Sequence, residues 1–414
     1  MPQRSNATLG RALIIGGSMA GLFAGLLLRR AGWDVQIFER SGAEISGRGA
    51  GIVTHDELFE ILGRCGVDTK AAQVGVFVAG RRVFEQDGRL SAELPLPQVV
   101  TSWGHLHHLL RSVFPVEHYH CERNLKRVDD HGDRVVAHFE DGSSAEGDLL
   151  IGADGIFSTV RSIFAPEVMP SYVGYVAWRG LVAERDLPQE IRDEVCDYFA
   201  FSLPAGEQML GYPVAGENEA MERGKRRYNF VWYRPAPADG ALRDLLTDRD
   251  GVQHALSVPP NKIRPELIAA LRETATQTLA PQFAQIVATT PQPFIQVIQD
   301  LASPKMIMAP RTVIIGDAAF VARPHVGMGV TKAAADAAAL VDALTQRPDD
   351  ITAALNDFAT QRQAFGEAVV RRARQLGSYM QSQLLTEEDR MYAERHRKPD
   401  AVMAETAVAT FVPD

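Results

Sequence analysis

The chain has 414 residues, 46% hydrophobic and 23% charged, a composition with room for two to three domains and outside the ranges of disordered, collagen-like or disulfide-stapled chains. Lys plus Arg number 43 against 52 Asp plus Glu, a formal net charge of -9, so no global positive field draws the chain to nucleic acid. The 3 cysteines, Cys65, Cys121 and Cys196, show no metal-ligand spacing and fit a reducing, cytoplasmic setting with no metal site. No membrane association is expected, because the apolar stretch Met19 to Leu28 is shorter than the roughly 20 residues of a span. The polar segment Met1 to Gly10 does not read as a signal peptide.

Residues 11–40 read as one βαβ unit, with strands at Arg11–Ile15 and Asp34–Phe38 around a helix over Ser18–Ala31 that Gly32 closes. Leu58, Ile61 and Leu62 keep helical spacing between Thr54 and Gly66, as do Leu106, Leu109 and Leu110 between Trp103 and Phe114. Residues 117–150 read as strands and hairpins, with a turn at Glu140-Asp-Gly-Ser before the buried strand Leu149–Ile151. From Tyr172 to Arg234 the aromatic, alternating pattern predicts a mostly antiparallel sheet, with Gly216 to Arg227 as an exposed loop. A further buried strand at Thr312–Ile315 predicts a return to the first unit, and 331–397 is helical in composition. The expected class is α/β, with one unit over 1–75, 100–170 and 300–345, a second over 76–99 and 171–299, and a helical region over 346–414.

The turn Gly16-Gly17-Ser18-Met19-Ala20-Gly21 lies between a strand and a helix, where small residues let the backbone approach a pyrophosphate held by helix N–H groups. Glu39, at the end of the second strand, is placed to accept from both ribose hydroxyls of an adenosine, and its charge disfavours a 2'-phosphate. NAD or FAD, and not NADP, therefore suits this unit. Asp317 follows the buried strand at its carboxyl end, where a carboxylate suits either a ribityl hydroxyl or a helix N-cap. Asp154 beside Gly155 reads equally well as a cofactor contact or an Asx-turn, and Arg161 as a brace paired with a carboxylate. Gly327 and Gly329 would bring N–H donors to a developing anion, or form an ordinary loop.

The run Asp148 to Arg161, and Gly316-Asp-Ala-Ala followed by Pro324 and Gly327-Met-Gly329, resemble the two flavin fingerprints of the group A FAD-dependent aromatic hydroxylases. With the glycine-rich turn, three motifs stand in family order across about 320 residues. The resemblance implies a Rossmann-like FAD-binding domain of glutathione reductase type, an inserted, mostly antiparallel substrate domain and C-terminal helices. It also implies FAD, NADH or NADPH as co-substrate without a second dinucleotide fold, O2, and a homodimer. The cofactor residues so implied are Gly16, Ser18, Met19, Ala20, Gly21, Glu39, Arg40, Gly51, Asp154, Asp317, Gly327, Met328, Gly329 and Val330. This chain departs from the common pattern at Phe320, Pro324-His325 and Thr331, and carries Trp103 where many members have arginine. The segments Tyr172–Gly180, Arg323–His325, Lys332-Ala and Gly49–Val53 look most like the branch acting on pyridine diols. A small hydroxylated N-heteroaromatic or phenolic ring is then the implied substrate, hydroxylated through a flavin C4a-hydroperoxide.

Such a reaction needs the ring hydroxyl ionised, for which histidine is the default base. His55, after the Gly-Ile-Val strand, and His325, beside the flavin glycines, are the two candidates. His105, His107 and His108 are not expected to hold a metal, since 107 and 108 face different sides of a helix. Phe199, Phe201, Tyr212, Trp232 and Pro324 are the candidate ring-binding residues, a pattern that a plain sheet core also shows. A flavin-binding ligand or redox sensor, or a reductase without oxygenation, fits the same motifs.

Overall fold

The computed structural model describes residues 9–42, 51–69, 74–381 and 386–408. Arg11–Ile15 pairs in parallel with Asp34–Phe38 on one side and Leu149–Gly152 on the other, and Thr312–Ile314 extends the sheet in parallel beyond the latter. Tyr119–His120 and Ile307–Ala309 complete its two edges, giving six strands. Helices cover one face, and a three-stranded antiparallel sheet of Leu125–Asp130, Val135–Phe139 and Ser144–Gly147 packs on the other, which is why these strands read as unbroken apolar runs: from Ala12 to Ile15 and from Leu149 to Ile151 every side chain is buried. The first helix spans Met19–Arg30 and lies on the helix Gly329–Gln346. It can settle onto the turn before it because Gly21 has no side chain; a Cβ there would stand 1.9 Å from the Gly16 carbonyl oxygen.

Eight strands form the second sheet, in the order Phe320–Val321, Phe294–Ala302, Ser171–Ala183, Arg227–Pro235, Gln208–Val214, Phe199–Ser202, Arg81–Phe84, Leu90–Leu94. All its pairings are antiparallel except Phe199–Ser202 with Arg81–Phe84. The chain boundaries differ from the expected ones in two places. Within 76–99, Arg81–Phe84 and Leu90–Leu94 join the large sheet, whereas Val76–Val78 and Gln98–Ser102 pair with Gly51–Val53 as a separate three-stranded sheet. Within 300–345, Phe320–Val321 adds an edge strand to the large sheet.

The large sheet has two dissimilar faces because successive side chains alternate. Tyr228, Phe230 and Trp232 pack with Phe283, Ile286 and Leu271 of the helices Pro281–Thr289 and Pro265–Thr278. Val231 and Tyr233 point the other way, with Tyr175, Phe199 and Tyr212. The stretch Gly216 to Arg227 is exposed or half-buried from Glu217 to Lys225, with Gly216 and Arg226 buried on either side, and Arg226 makes a two-pronged ion pair with Glu184, both bonds 2.8 Å. Pairing is what makes that buried arginine tolerable. Ile351–Gly377 packs along Gly329–Gln346, followed by the helices Glu387–His396 and Pro399–Glu405, after which the chain folds back onto the large sheet's Tyr233 face. No helix among the described residues is long and apolar enough to cross a membrane.

Replacing Gly21 by alanine is expected to lower stability by about 1–3 kcal/mol, since the helix must lift from the turn. Urea denaturation should show a lower midpoint with an unchanged slope.

Candidate active site

The carboxyl ends of the parallel strands meet at one cleft. Gly16 leaves its strand at φ +104, and a Cβ there would come within 2.4 Å of the Ala153 carbonyl oxygen. The helix N-terminus that follows is open: Ser18 makes no side-chain cap and the first turn holds no acidic residue, so its N–H groups are available to an anion. Glu39 is fixed across the turn, accepting from Gly17 N at 2.8 Å and Ser41 N at 2.9 Å. Ser18, Met19, Ala20, Glu39 and Arg40 all line this cleft, whose volume is about 560 Å3. Gly21 does not line it and serves beneath, in helix packing.

Asp154 accepts from Thr159 N at 2.7 Å and Val160 N at 3.1 Å through Oδ2, so it braces the next helix and forms no Asx-turn with Gly155. Its Oδ1 is buried without a hydrogen-bond partner. Arg161 was expected to pair with a carboxylate; its guanidinium instead donates to the carbonyls of Ile156 (2.6 Å), Val168 (3.1 Å) and Ala318 (2.8 Å). That arrangement ties the Asp154 loop to the Gly316-Asp317 turn. Asp317 sits within a single 3-10 turn, Gly316–Ala318, and its half-exposed carboxylate lines both the cleft and the cavity beyond it.

Beneath Asp317 lies a residue to which the sequence assigns no role of its own. Lys332 is inaccessible, its Nζ 3.9 Å from Asp317 Oδ1 and 3.8 Å from Asp336 Oδ2 with no hydrogen bond. Asp336 in turn accepts from Gly316 N at 3.0 Å and Arg362 Nε at 2.7 Å. In an alanine-rich helix a lone lysine reads as a surface residue; the available signal was its i,i+4 spacing to Asp336.

The cleft continues into a cavity of about 320 Å3, at the small end for ligand pockets, through the shared residues Ile156, Gln296, Asp317, Gly329 and Val330. Gly51, Phe199, Tyr212, Pro324, His325 and Gly327 line it; Gly51 and Gly327, expected at the cofactor, face this cavity and do not line the cleft. Phe199 stacks on Tyr212 at 4.8 Å between centroids. Three expected contacts are corrected. Phe201 lies behind Phe199, 5.0 Å from its ring, and is not on the cavity. Trp232 occupies the opposite face of the sheet, where its Nε1 donates to Glu207 at 2.7 Å; the in-phase residue is Tyr233. Met328 turns away and packs with Val369 and Leu376.

The two histidines also part company. His325 lines the cavity with both nitrogens engaged: Nδ1 donates to Gln208 Oε1 at 3.2 Å, and Nε2 accepts from the Tyr175 hydroxyl at 2.8 Å. His55 does not line it; its Nδ1 is bonded to Thr331 Oγ1 at 2.9 Å. Burial pushes His325 down to about 3 and His55 down to about 4, so both rings are neutral at pH 7. Among the clustered histidines, His105 pairs with Glu219 and His107 stacks on Trp103, 4.8 Å between centroids. Trp103 itself lines the cofactor cleft.

Sequence reading also missed Arg179. It lies in Ser171–Ala183 in phase with Tyr175, so parity sends it into the cavity beside Tyr233, whose hydroxyl it contacts. It is 7% exposed, its Nε has no hydrogen bond, and it makes no ion pair among the described residues. A charged residue inside an apolar strand was the signal.

Residues 11–221 match the FAD binding domain family, and residues 172–300 match a FAD binding domain-like family. The 2,6-dihydroxypyridine 3-monooxygenase of Paenarthrobacter nicotinovorans is 32% identical over 378 residues, 90% of this chain and 92% of that protein. The chain belongs to the FAD-dependent aromatic hydroxylases. Another relative of this hydroxylase, the FAD-dependent urate hydroxylase of Klebsiella pneumoniae, is 27% identical over 85% of each chain. The solved structure of 2,6-dihydroxypyridine-3-hydroxylase from Arthrobacter nicotinovorans superposes with a TM-score of 0.84 at 30% identity, covering 90% of this chain and 93% of that one. Klebsiella pneumoniae HpxO complexed with FAD and uric acid shares the fold at a TM-score of 0.70 and 21% identity, over 96% and 93% of the two chains.

The residues present suit FAD on structural grounds: an uncapped helix N-terminus, a buried Asp154 oxygen without a partner, and open space over Gly329, where a Cβ would meet nothing within 4 Å. Glu39→Ala is expected to reduce the flavin content of the purified hydroxylase severalfold. Absorbance at 450 nm per mole of chain measures this. Stability should fall with pH: the unfolded state binds protons at its histidines near pH 6.5, whereas native His325 does so only at about 3. The contribution is complete above pH 6.5 and is lost as pH falls toward 3, amounting to about 2 kcal/mol between pH 7 and pH 5. His325→Gln should shrink that loss in urea midpoints measured at the two pH values.

Proposed function

We propose that this flavoprotein monooxygenase uses NADH or NADPH and O2 to hydroxylate a small ring of the pyridine-diol or phenol type, which it binds as the oxyanion. The observation that carries the reading is Arg179, a buried guanidinium without an ion-pair partner among the described residues, in an aromatic cavity that opens into the cofactor cleft. Bound FAD would supply reduction by the coenzyme and activation of oxygen. Gly16, Ser18, Met19, Ala20, Glu39, Arg40, Asp154, Asp317, Gly329 and Val330 would hold it along the cleft.

The rest falls to the chain. Phe199 and Tyr212 supply an apolar, aromatic wall for a flat ring. A cation in a low-dielectric site stabilises the ionised hydroxyl far more than it would in water. Arg179 therefore lowers the pKa of the bound ring's own hydroxyl, which makes the ortho and para carbons better nucleophiles without a free histidine base. His325 acts as a neutral, fixed wall, held by Tyr175 and Gln208. The relatives agree in chemistry: 2,6-dihydroxypyridine, and the 3-amino-4-hydroxybenzoate of a Streptomyces cremeus monooxygenase 28% identical over 88% of this chain, both carry ionisable ring hydroxyls.

With 2,6-dihydroxypyridine, the FAD-loaded protein should consume coenzyme and oxygen with a matched mass gain of one oxygen. Arg179→Met should lower kcat/KM by roughly 10- to 150-fold, the loss expected for a charge-assisted hydrogen bond, with flavin content unchanged. An unchanged kcat/KM in that variant removes the oxyanion assignment. Coenzyme consumption without any oxygenated product, for this and related ring diols, removes the hydroxylase reading.

A further inference from the structure

The ring cavity, open toward the cofactor cleft, is lined by the large sheet, the Gly51–Val53 strand, the His325–Val330 segment and the segment after the helix Pro399–Glu405. Thr406 and Ala407 line it. A short segment with few main-chain partners of its own stays in place only where something ties it down. Here the tie is Arg81, more than 320 residues away in sequence and 0% exposed. Its Nη1 donates to the Met403 carbonyl at 2.6 Å and the Thr406 carbonyl at 2.5 Å, and its Nη2 to the Ala407 carbonyl at 3.3 Å and to Gln98 Oε1 at 2.6 Å. Gln98 donates a second bond to the Ala407 carbonyl at 3.1 Å.

Arg81 has no carboxylate partner among the described residues, and burial draws its pKa down only to about 10, so it is a cation whose compensation is main-chain carbonyl. Those carbonyls belong to the last turn of the helix Pro399–Glu405 and to the two residues after it, where the helix has no N–H left to pair them. The same guanidinium sits 5.2 Å from the centroid of Phe199, a wall of the cavity. On its far side the strap meets the flavin-facing loop: Ala407 N donates to the His325 carbonyl at 2.8 Å, and a Cβ on Gly327 would stand 2.7 Å from the Ala407 Cβ. The strap thus spans from the sheet to the loop, with Arg81 at one end.

We propose that Arg81 is a positioning residue for the hydroxylation: it clamps the C-terminal strap Met403–Ala407 across the ring cavity, and the closed strap is what excludes water there. Sealing matters because water at this kind of site diverts reduced flavin and oxygen to hydrogen peroxide instead of ring oxygenation. The consequence for coupling rests on the monooxygenase reading; the clamp itself does not.

The test uses the full-length, FAD-loaded protein with Arg81→Met, Arg81→Lys and the milder Gln98→Met. Hydrogen exchange at the Ala407 amide reads the strap, iodide quenching of bound flavin fluorescence reads the seal, and peroxide per coenzyme consumed with 2,6-dihydroxypyridine reads coupling. In Arg81→Met, exchange at Ala407 should rise by at least about tenfold. Quenching and the peroxide fraction should each rise roughly threefold, with the rate of coenzyme oxidation within about twofold. Arg81→Lys, which keeps the charge but loses the fork, and Gln98→Met should lie between that variant and wild type. Unchanged exchange at Ala407 in a folded variant overturns the clamp. Faster exchange with unchanged quenching overturns the seal. If Arg81→Met does not fold, Gln98→Met is judged by the same outcomes. If wild type oxygenates no ring, exchange and quenching still decide the clamp, and the failure falls on the proposed reaction alone.

Discussion

Strand ends that converge on one cleft must satisfy their departing backbone without filling it, and the rest of the structure depends on how this is done. Each departing N–H reaches the end of the neighbouring strand: Gly16 N to the Phe38 carbonyl at 2.9 Å, Ala153 N to that of Ile15 at 2.8 Å, Ile315 N to that of Gly152 at 3.0 Å. The staircase leaves the helix N-terminus after Gly17 and the carboxylates of Asp154 and Asp317 facing the same space. Side chains then stitch the turns from below, Arg161 between two loops and Asp336 under Gly316, so the cleft is held by groups that do not occupy it. Preorganisation of this kind keeps donors and acceptors in place before any cofactor arrives.

The second sheet contributes by parity. A strand with one face on helices and the other on a cavity assigns every residue to core or site by its position alone. The pairing of Trp178 with Trp232 and of Ala177 with Tyr233 places two tryptophans in the core beneath and sends Arg179 and Tyr233 to the cavity above. A shift of one residue in register would exchange these sets, and the aromatic core on the helix side is what forbids it.

Three of the buried cations around the site are each compensated differently. Lys332 lies just under 4 Å from two carboxylates, Arg81 is wrapped by main-chain carbonyls, and Arg179 has neither among the described residues. A buried charge without compensation is costly, so the gradation is itself informative. The first two are satisfied by the fold and hold its parts in position. The third is left for whatever enters the cavity.

The cofactor half of this protein was legible in its residues, because a phosphate-binding turn is local: strand, glycines, helix and the acid ending the next strand all lie within residues 11–39. The buried strands at Leu149–Ile151 and Thr312–Ile315 were legible as apolar runs, whereas the turns at Asp154 and Asp317 pointed to a flavin only through their resemblance to the family's fingerprints. The ring cavity is assembled from Gly51, Arg179, Tyr212, Tyr233, His325 and Thr406, residues brought together from six separate segments. Composition identifies aromatic strands but not which alternate face looks inward, so it points to Trp232 and not to Tyr233 or Arg179. His55 and His325 were equivalent in sequence, and only packing decided that one lines the cavity and the other lies behind it. Sequence by itself determined the chemistry the chain can bind, since backbone approach to a dinucleotide needs particular small residues in a row. Tertiary structure alone decided which charges are buried and what compensates them, because that depends on neighbours hundreds of residues apart.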